Sequence, residues 1–306
     1  MTGYVLRRLL QALATVWAVL TVAFLMGRAT GSPAAILLPP EASQTEISAL
    51  NHALGFDQPL LSQYGTFLLG VLQGDFGTSY RERGTPALVI VAERLPATFQ
   101  LALTAFVIGL VLALVAALTI HIRGSQRLRS VLVWSGSLRH SIPDFFFGLL
   151  LVIVLSVVLG LLPSLGRTGP SSFVMPIITI ATGQFVLYLR LIDTALSEQS
   201  GQDYVRTAYA RGASHPRVVL TEMLPNAILP VLTLAGLNLG GLLGGTVIVE
   251  QVFSWPGLGQ AMLNAVSQRD FPIVQAGLLV IALLFVLVNF AVDLLYAALD
   301  PRVRLT

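Results

Sequence analysis

The side chains able to do covalent or metal chemistry are scarce in this sequence. Its 306 residues include 4 His, 15 acidic residues and no Cys, and all 18 basic residues are Arg. Without Cys there is no thiolate nucleophile and no Cys-based metal site. Without Lys there is no phosphate-binding loop of the Walker type, which uses a Lys to reach the outer phosphates. Thiol chemistry and ATP binding by such a loop are therefore excluded.

The four His residues, His52, His121, His140 and His215, show no spacing typical of a metal site. All lie outside the apolar runs, with neither an H-E-x-x-H pattern nor Cys partners. We interpret them as solvated loop residues. The basic residues are spread among loops rather than gathered in one patch, so a net charge of +3 does not indicate a nucleic-acid partner.

The most informative polar segment covers residues 203–230 and reads DYVRTAYARGASHPRVVLTEMLPNAILP. The pattern predicts a short helix that ends at Gly212 and a second helix that starts near Ser214. Gly212 permits a close approach or a positive φ, and Arg206 and Arg211 offer charge to a partner. The alternative is a basic amphipathic loop that lies on anionic lipid.

The elements that position this segment are predicted to be transmembrane helices. The sequence is 55% hydrophobic and only 11% charged, with a mean hydropathy of +0.80, whereas soluble proteins are roughly 25% charged. Apolar runs of about 20 residues predict six spans and an all-α integral membrane protein. A cleaved signal peptide is the alternative for the first run, whose length favours a retained anchor. The spans are Leu9–Gly27, Phe99–Ile120, Phe145–Leu162, Phe173–Leu189, Ala227–Val249 and Ile273–Leu299.

The distribution of Arg predicts that both termini are cytoplasmic. Arg residues are concentrated on one side of the predicted spans. Most of the other Arg residues lie in or beside one long loop, and charges in long loops have little influence on orientation. We predict three regions: residues 1–27 as the N-terminus and first span, residues 28–98 as a small extracytoplasmic cap, and residues 99–306 as a core of five spans. The Arg assigned to the cytoplasmic side are Arg7, Arg8, Arg123, Arg127, Arg129, Arg139, Arg206, Arg211, Arg217, Arg302 and Arg304.

The fifth predicted span carries three Gly at a spacing of four, Gly236, Gly240 and Gly244. Small residues at this spacing let helices approach closely, so we predict helix packing, with a lining of the transport path as the alternative. Asn238 and Glu250 are the polar residues of this span.

Ionisable residues near the ends of the other spans are candidates for local pairing. Arg190 and Asp193 are three residues apart and are predicted to pair. Asp293 lies inside the last span, where a charge is costly. We predict a structural partner for it rather than a solute contact.

The segment R-T-A-Y-A-R-G, followed by nine residues and E-M-L-P, resembles the EAA loop of bacterial ATP-binding-cassette (ABC) importer permeases. That loop reads E-A-A, three residues, Gly, nine residues and I-x-L-P. The matching residues are Ala208, Gly212, Leu224 and Pro225, and the departures are Arg206, Thr207 and Glu222.

Further motifs extend the resemblance over nearly the whole chain. They are similar to the dipeptide, oligopeptide and nickel permease family. In the C-terminal half they read D-Y-V-R-T-A-x-A-x-G, V-F-S-W-P-G-L-G, R-D-F-P-I-V-Q and V-D-L-L-Y-A-A-L-D-P-R. In the N-terminal half they read Y-V-L-R-R-L-L, L-G-F-D-Q-P-L, G-D-F-G-T-S and E-R-L-P-A-T.

The resemblance implies a type I ABC importer permease in a bacterial inner membrane, working by alternating access. Its expected partners are a second homologous permease, two ATPase subunits, an extracytoplasmic solute-binding protein and membrane lipid. The chain itself would bind no cofactor, because the ATPases bind ATP and Mg. A cytoplasmic coupling helix would contact the ATPase through loop 203–225. The residues carried over to this contact are Asp203, Tyr204, Arg206, Thr207, Ala208, Ala210, Arg211, Gly212, Leu224 and Pro225.

The resemblance leaves the solute open among peptides, nickel or metal chelates, and oligosaccharides. Two other classes compete with an ABC permease. An ion-coupled secondary transporter would be expected to carry several buried ionisable residues and broken helices, and this sequence has few such residues. An intramembrane hydrolase would need a nucleophile and a base, or an acid pair, inside the bilayer, and the predicted spans lack both.

Overall fold

A computed structural model describes residues 2–29, 31–39, 41–82 and 84–299. All regular secondary structure in this part of the chain is helical, and Thr78 and Pro86 form an isolated bridge pair. The α-helices are α1 (Thr2–Ala29), α2 (Ala34–Leu37), α3 (Gln44–Ala53), α4 (Leu60–Gln73), α5 (Ala87–Arg123), α6 (Gln126–His140), α7 (Asp144–Leu151), α8 (Val174–Ser200), α9 (Asp203–Ala210), α10 (His215–Arg217), α11 (Leu224–Gly245), α12 (Val247–Val252), α13 (Leu258–Ser267) and α14 (Phe271–Leu299).

Three short segments have other helical geometry. α7 continues as the π-helical segment Val152–Val158, and a 3₁₀ turn, Pro170–Phe173, precedes α8. A second π-helical segment, Val218–Met223, joins α10 to α11. The chain forms two compact units, one of Met1–Pro96 with Gly257–Leu284 and one of Ala97–Pro256 with Phe285–Thr306.

The first unit contains the helices of the predicted cap. α3 begins with a capping box in which the Ser43 hydroxyl accepts from the Glu46 amide and the Glu46 carboxylate accepts from the Ser43 amide. α4 is rich in apolar residues and ends at Gly74, whose φ is +74°. α5 begins directly after Thr85 and Pro86, and Pro is favoured at the start of a helix.

A buried carboxylate fastens the loop that precedes α5 in the first unit. Asp270 is 1% exposed and accepts the Ser79 hydroxyl at 2.5 Å and the backbone amides of Tyr80 and Arg81 at 3.1 and 3.3 Å. Arg269, the residue before it, has a φ of +54°. Three donors therefore satisfy a charge that would otherwise be costly to bury.

The second unit is built around α8, which packs against α6, α7 and α11. Its main core lies along α8, where Tyr188, Leu189 and Ile192 are fully buried. A second apolar cluster surrounds Trp255, whose indole N–H donates to the carbonyl of Ala97 at 3.0 Å.

The described residues contain five helices long and apolar enough to cross a membrane, and a sixth span if the bent pair α6 and α7 is counted as one. The predicted number of spans agrees with the upper value. The third span differs from the prediction because it is broken. α7 begins at Asp144, its π-helical extension ends at Val158, and α6 precedes it at an angle of 97°.

The predicted fifth span also needs a correction. Helical structure starts at His215, well before the predicted Ala227, and α11 ends at Gly245. Thr246 separates α11 from α12, so Glu250 lies beyond the end of that span. The last span agrees with α14, although the side chain of Asp293 lies outside the described residues.

Candidate functional site

The polar segment after α8 folds as a short helix, a break and a second helix, as the sequence predicts. α9 is followed by Gly212, whose φ of +80° favours Gly because it has no Cβ. The Gly212 amide donates to the carbonyl of Tyr209 at 2.9 Å. Ser214 is extended and precedes α10, and Pro216 occupies the first turn, where its missing N–H costs nothing.

α9 has one face toward the protein and one toward the outside. Val205 is 1% exposed within the core of the second unit, and Tyr204 and Ala208 pack against the same core. The opposite face is open within this chain and carries a surface ion pair of 3.6 Å between Asp203 and Arg206. The exposed positions of α9 and the following turn are Asp203, Arg206, Thr207, Tyr209, Ala210, Arg211 and Gly212.

Tyr204 anchors the inner face of α9. Its hydroxyl donates to Gln199 Oε1 at 2.6 Å. Burial raises the pKa of Tyr204; a hydrogen bond with Asn226 opposes this effect, and the negative charge of Glu222 adds a smaller increase. The side chain is therefore a neutral phenol at physiological pH.

A histidine joins the turn after α9 to the end of α5. His215 Nε2 lies 2.9 Å from the carbonyl oxygen of His121. Because a carbonyl can only accept, Nε2 carries the proton, and in the neutral ring Nδ1 accepts the Tyr209 hydroxyl at 2.6 Å. The Tyr209 and His215 rings also stack, with an interplanar angle of 11°. His215 therefore links the turn after α9 to the C-terminal end of α5.

Asp193 connects the ends of three helices close to this contact. Its side chain is 7% exposed and accepts from Arg129 Nε at 2.8 Å and from His121 Nε2 at 3.1 Å. These groups line a cavity of about 160 Å³. Asp193 on α8 thereby ties α8 to both α5 and α6.

Two predictions were wrong in this region. His121 is not a solvated loop residue, because it lies in α5 with a side chain only 16% exposed. Arg190 does not pair with Asp193, because its guanidinium donates to the Ser137 hydroxyl at 2.5 Å while Asp193 binds other partners. Spacing along one helix could not reveal these contacts, since the partners come from α5 and α6.

Two family models together cover almost the entire chain. The inner membrane component of binding-protein-dependent transport systems matches residues 109–305, and the N-terminal part of such membrane components matches residues 1–102. The chain belongs to this transport family. It is a permease of an ABC importer and not itself an enzyme.

Relatives of this permease match it from end to end. The glutathione transport system permease protein GsiC of Escherichia coli (strain K12) is 37% identical over 308 residues, which covers 99% of each chain. GsiC of Salmonella typhimurium (strain LT2) is 38% identical over 309 residues, with the same coverage.

Solved ABC transporters share the fold of this permease. The MetNI methionine transporter in an inward-facing conformation gives a TM-score of 0.55 at 20% identity and covers 69% of this chain and 96% of its own. An amino acid ABC transporter with histidines gives a TM-score of 0.52 at 18% identity and covers 70% and 94%. The predicted all-α permease fold is thereby confirmed.

In the permease, the glycine face of α11 packs against α14 of the same chain. A Cβ added at Gly236 would overlap Val292, and one added at Gly240 would lie 3.1 Å from Phe285. Gly244, the third member of the series, is exposed. The geometry favours packing within the chain at the first two positions.

The polar candidates of the fifth span lie in different settings. Glu250 is fully buried and accepts the hydroxyls of Thr98 and Thr246 at 2.6 and 3.1 Å. Asn238 is half-buried and lies beside the hydroxyl of Tyr188. In the part of the chain that the structure describes, no three His, Cys, Asp or Glu side chains are grouped to hold a metal ion.

Proposed function

We propose that the permease imports small peptides or chemically similar solutes. The observation that supports a peptide-like solute is the end-to-end similarity to glutathione permeases. The permease would form half of the pathway by alternating access, with a second homologous permease, two ATPase subunits and an external solute-binding protein. ATP and Mg would bind to the ATPases, and membrane lipid would surround the spans.

The proposed contact with the ATPase is the exposed face of α9 together with its turn, extending through loop 203–225. The single observation that carries this assignment is the two-faced α9, which is anchored inward at Val205 and open outward from Arg206 to Gly212. The contact between His215 and the His121 carbonyl would then pass motion to α5. An ATPase state can shift the equilibrium between the two permease conformations only if it binds one conformation more tightly than the other.

Replacement of Gly212 by Asp tests the coupling proposal. Gly212→Asp introduces a Cβ at positive φ and an unpaired charge where we place the ATPase contact. Gly124→Asp is a matched control, because Gly124 also has a positive φ of +59° and open space around it. We expect Gly212→Asp to insert normally but to lose ATP-dependent uptake in vesicles and to retain less ATPase. Equal effects of the two changes would contradict the proposal.

Orientation is proposed from the Arg distribution, with both termini and α9 in the cytoplasm of a bacterial inner membrane. Because the chain lacks Cys, single Cys probes can report the side. Ala49→Cys on α3 and Gln126→Cys at the start of α6 are both at exposed positions. An impermeant maleimide applied to cells with a permeable outer membrane should label Ala49→Cys alone. Labelling of Gln126→Cys alone would invert the topology.

A further inference from the structure

The third span breaks beside α8 in the second unit. Arg129, early in α6, contacts Asp193 near the end of α8. Arg139, late in α6, contacts Thr182 near the middle of α8. α6 therefore runs antiparallel to α8, and the 97° bend into α7 lies beside Thr182. Because Thr182 lies inside the apolar run Phe173–Leu189, we place the break within the bilayer, and this corrects the cytoplasmic position that the Arg distribution predicts for Arg139.

Arg139 holds the break together. Its Nε donates to the Thr182 hydroxyl at 2.9 Å, and its Nη2 donates to the Thr179 carbonyl at 2.8 Å. Nη1 donates to the Ile142 carbonyl at 3.0 Å, and Nη2 also donates to Asp144 Oδ1 at 2.7 Å. The guanidinium thus binds the interrupted backbone, the neighbouring helix and the first residue of α7.

The two charges of this pair differ in exposure. The Arg139 side chain is 11% exposed, whereas the Asp144 side chain is 52% exposed. Gly183 on α8 makes room for the carboxylate, because a Cβ there would lie 3.2 Å from Asp144 Oδ1. Arg139 and α8 therefore hold the carboxylate on one side. Its other side is open within this chain.

A half-exposed carboxylate at this depth cannot face lipid. Placing a charge at the bilayer centre costs about 2.5–3.5 kcal/mol even on lenient scales, and such residues generally face a bundle interior or a water-filled cavity. In transporters, helices broken near the midplane also accompany solute sites. The exposed side of Asp144 therefore meets water, a polar molecule or a polar group of a neighbouring subunit.

We infer that Asp144 lines the translocation pathway at the break of the third span. There its carboxylate accepts hydrogen bonds from N–H groups of the passing solute, such as ammonium or amide groups. Arg139 acts as a positioning residue, because it holds Asp144 in place and directs its own N–H groups to other groups of the protein. The solute class rests on the proposed import of peptide-like molecules, whereas the water-facing position of Asp144 does not.

Cysteine accessibility tests the position of Asp144. In the assembled transporter in native membranes, Asp144→Cys should react with a charged methanethiosulfonate reagent. Val154→Cys is the matched control, because Val154 lies in the same broken span and is 47% exposed but apolar. We expect Asp144→Cys to react at least about tenfold faster, since a thiol in lipid or in a dry interface does not ionise. Equal, slow reaction at both positions would overturn the inference and would place Asp144 under a neighbouring subunit.

A conservative substitution tests the role in solute binding and does not depend on the Cys variant folding. Asp144→Asn keeps the oxygen that accepts from Arg139 but removes the charge. With glutathione as the probe, we expect the concentration for half-maximal uptake to rise about tenfold, with the amount of assembled transporter unchanged. A purely structural role would lower the yield of complex instead. An unchanged half-saturation concentration would contradict the binding role.

The two experiments separate the inference from the proposed solute. Absence of glutathione uptake by the unmodified transporter would count against a glutathione-like solute, yet the labelling rates would still decide the position of Asp144. Normal uptake by the unmodified transporter together with an unreactive Asp144→Cys would reject the inference alone.

Discussion

Two Arg residues of α6 each pair with an Asp of another helix, and the two pairs differ in which partner is buried. In the first, Asp193 is the buried partner at 7% exposure and Arg129 is 39% exposed. In the second, Arg139 is the buried partner at 11% and Asp144 is 52% exposed. The buried member of each pair makes the additional contacts. In the first pair the carboxylate of Asp193 therefore connects several helices. In the second pair the guanidinium of Arg139 holds the carboxylate of Asp144 at an exposed position.

This difference shows that the role of an ion pair in a membrane protein depends on which of its two partners is buried. A buried partner with several hydrogen bonds is structural, because its removal leaves polar groups unsatisfied. An exposed partner at membrane depth indicates contact with water or a polar ligand. Substitutions at the two pairs should separate these roles.

Arg139→Ala should have the largest effect on stability. It would remove four hydrogen bonds made by a side chain that is 11% exposed, at a cost of about 3–5 kcal/mol if each bond contributes about 1 kcal/mol. We expect a lower melting temperature of the purified permease, measured by size-exclusion fluorescence after heating. Arg190→Ala is the control, because Arg190 is exposed and donates to the Ser137 hydroxyl at the surface. Similar melting for the two variants would remove the contrast between the pairs.

The first pair should show the opposite asymmetry. Asp193→Ala removes the acceptor of both Arg129 and His121, so we expect a loss of about 1–3 kcal/mol. Arg129→Ala leaves Asp193 bound to His121 and should cost less, because the Arg side chain is partly solvated. A melting temperature that is lower for Arg129→Ala than for Asp193→Ala would contradict this interpretation.

An apolar contact provides a reference without charge. Gly236→Ala should destabilise the permease by about 1–3 kcal/mol, because the added Cβ would overlap Val292 on α14. Gly241→Ala lies on the same helix with open space around it and should leave the melting temperature unchanged or slightly raised. Equal melting of the two variants would show that α11 and α14 do not pack closely there.

The exposed pair His52 and Asp57 should have the smallest effect. A hydrogen bond to Asp57 raises the pKa of His52, and the same bond lowers the pKa of Asp57. A raised His pKa stabilises the fold below the unfolded value, near 6.5, and this contribution is lost as the pH rises through the folded value. His52→Ala should therefore lower the melting temperature by about 1 °C or less near pH 5.5, and by nothing near pH 8.5. A larger shift at the higher pH would contradict this sign.

The elements that could be predicted from the sequence are those with strong local signals. Long apolar runs predict the spans. Gly212, Ser214 and Pro216 predict that α8 is followed by a short helix, a break and a second helix. The capped helix α3 likewise follows from local residues, since Ser43 and Glu46 form a capping box. In each case the physical cause lies within a few residues along the chain.

The contacts that could not be predicted join residues distant in sequence. His121 and Asp193 lie on different spans, and Arg139 donates to Thr179 and Thr182 on α8. The Arg distribution along the chain predicts a cytoplasmic position for Arg139, because it carries no information about these contacts. The available signal was the segment R-H-S-I-P-D, in which a charge, a Pro and a second charge directly precede an apolar run.

The polar contacts of α6 also constrain how the chain enters the membrane during synthesis. α6 carries Arg127, Arg129 and Arg139, so it cannot partition into lipid alone. Arg129 and Arg139 have partners on α8, Asp193 and Thr182, that leave the ribosome later. We therefore expect the third and fourth spans to enter the bilayer together, as a hairpin.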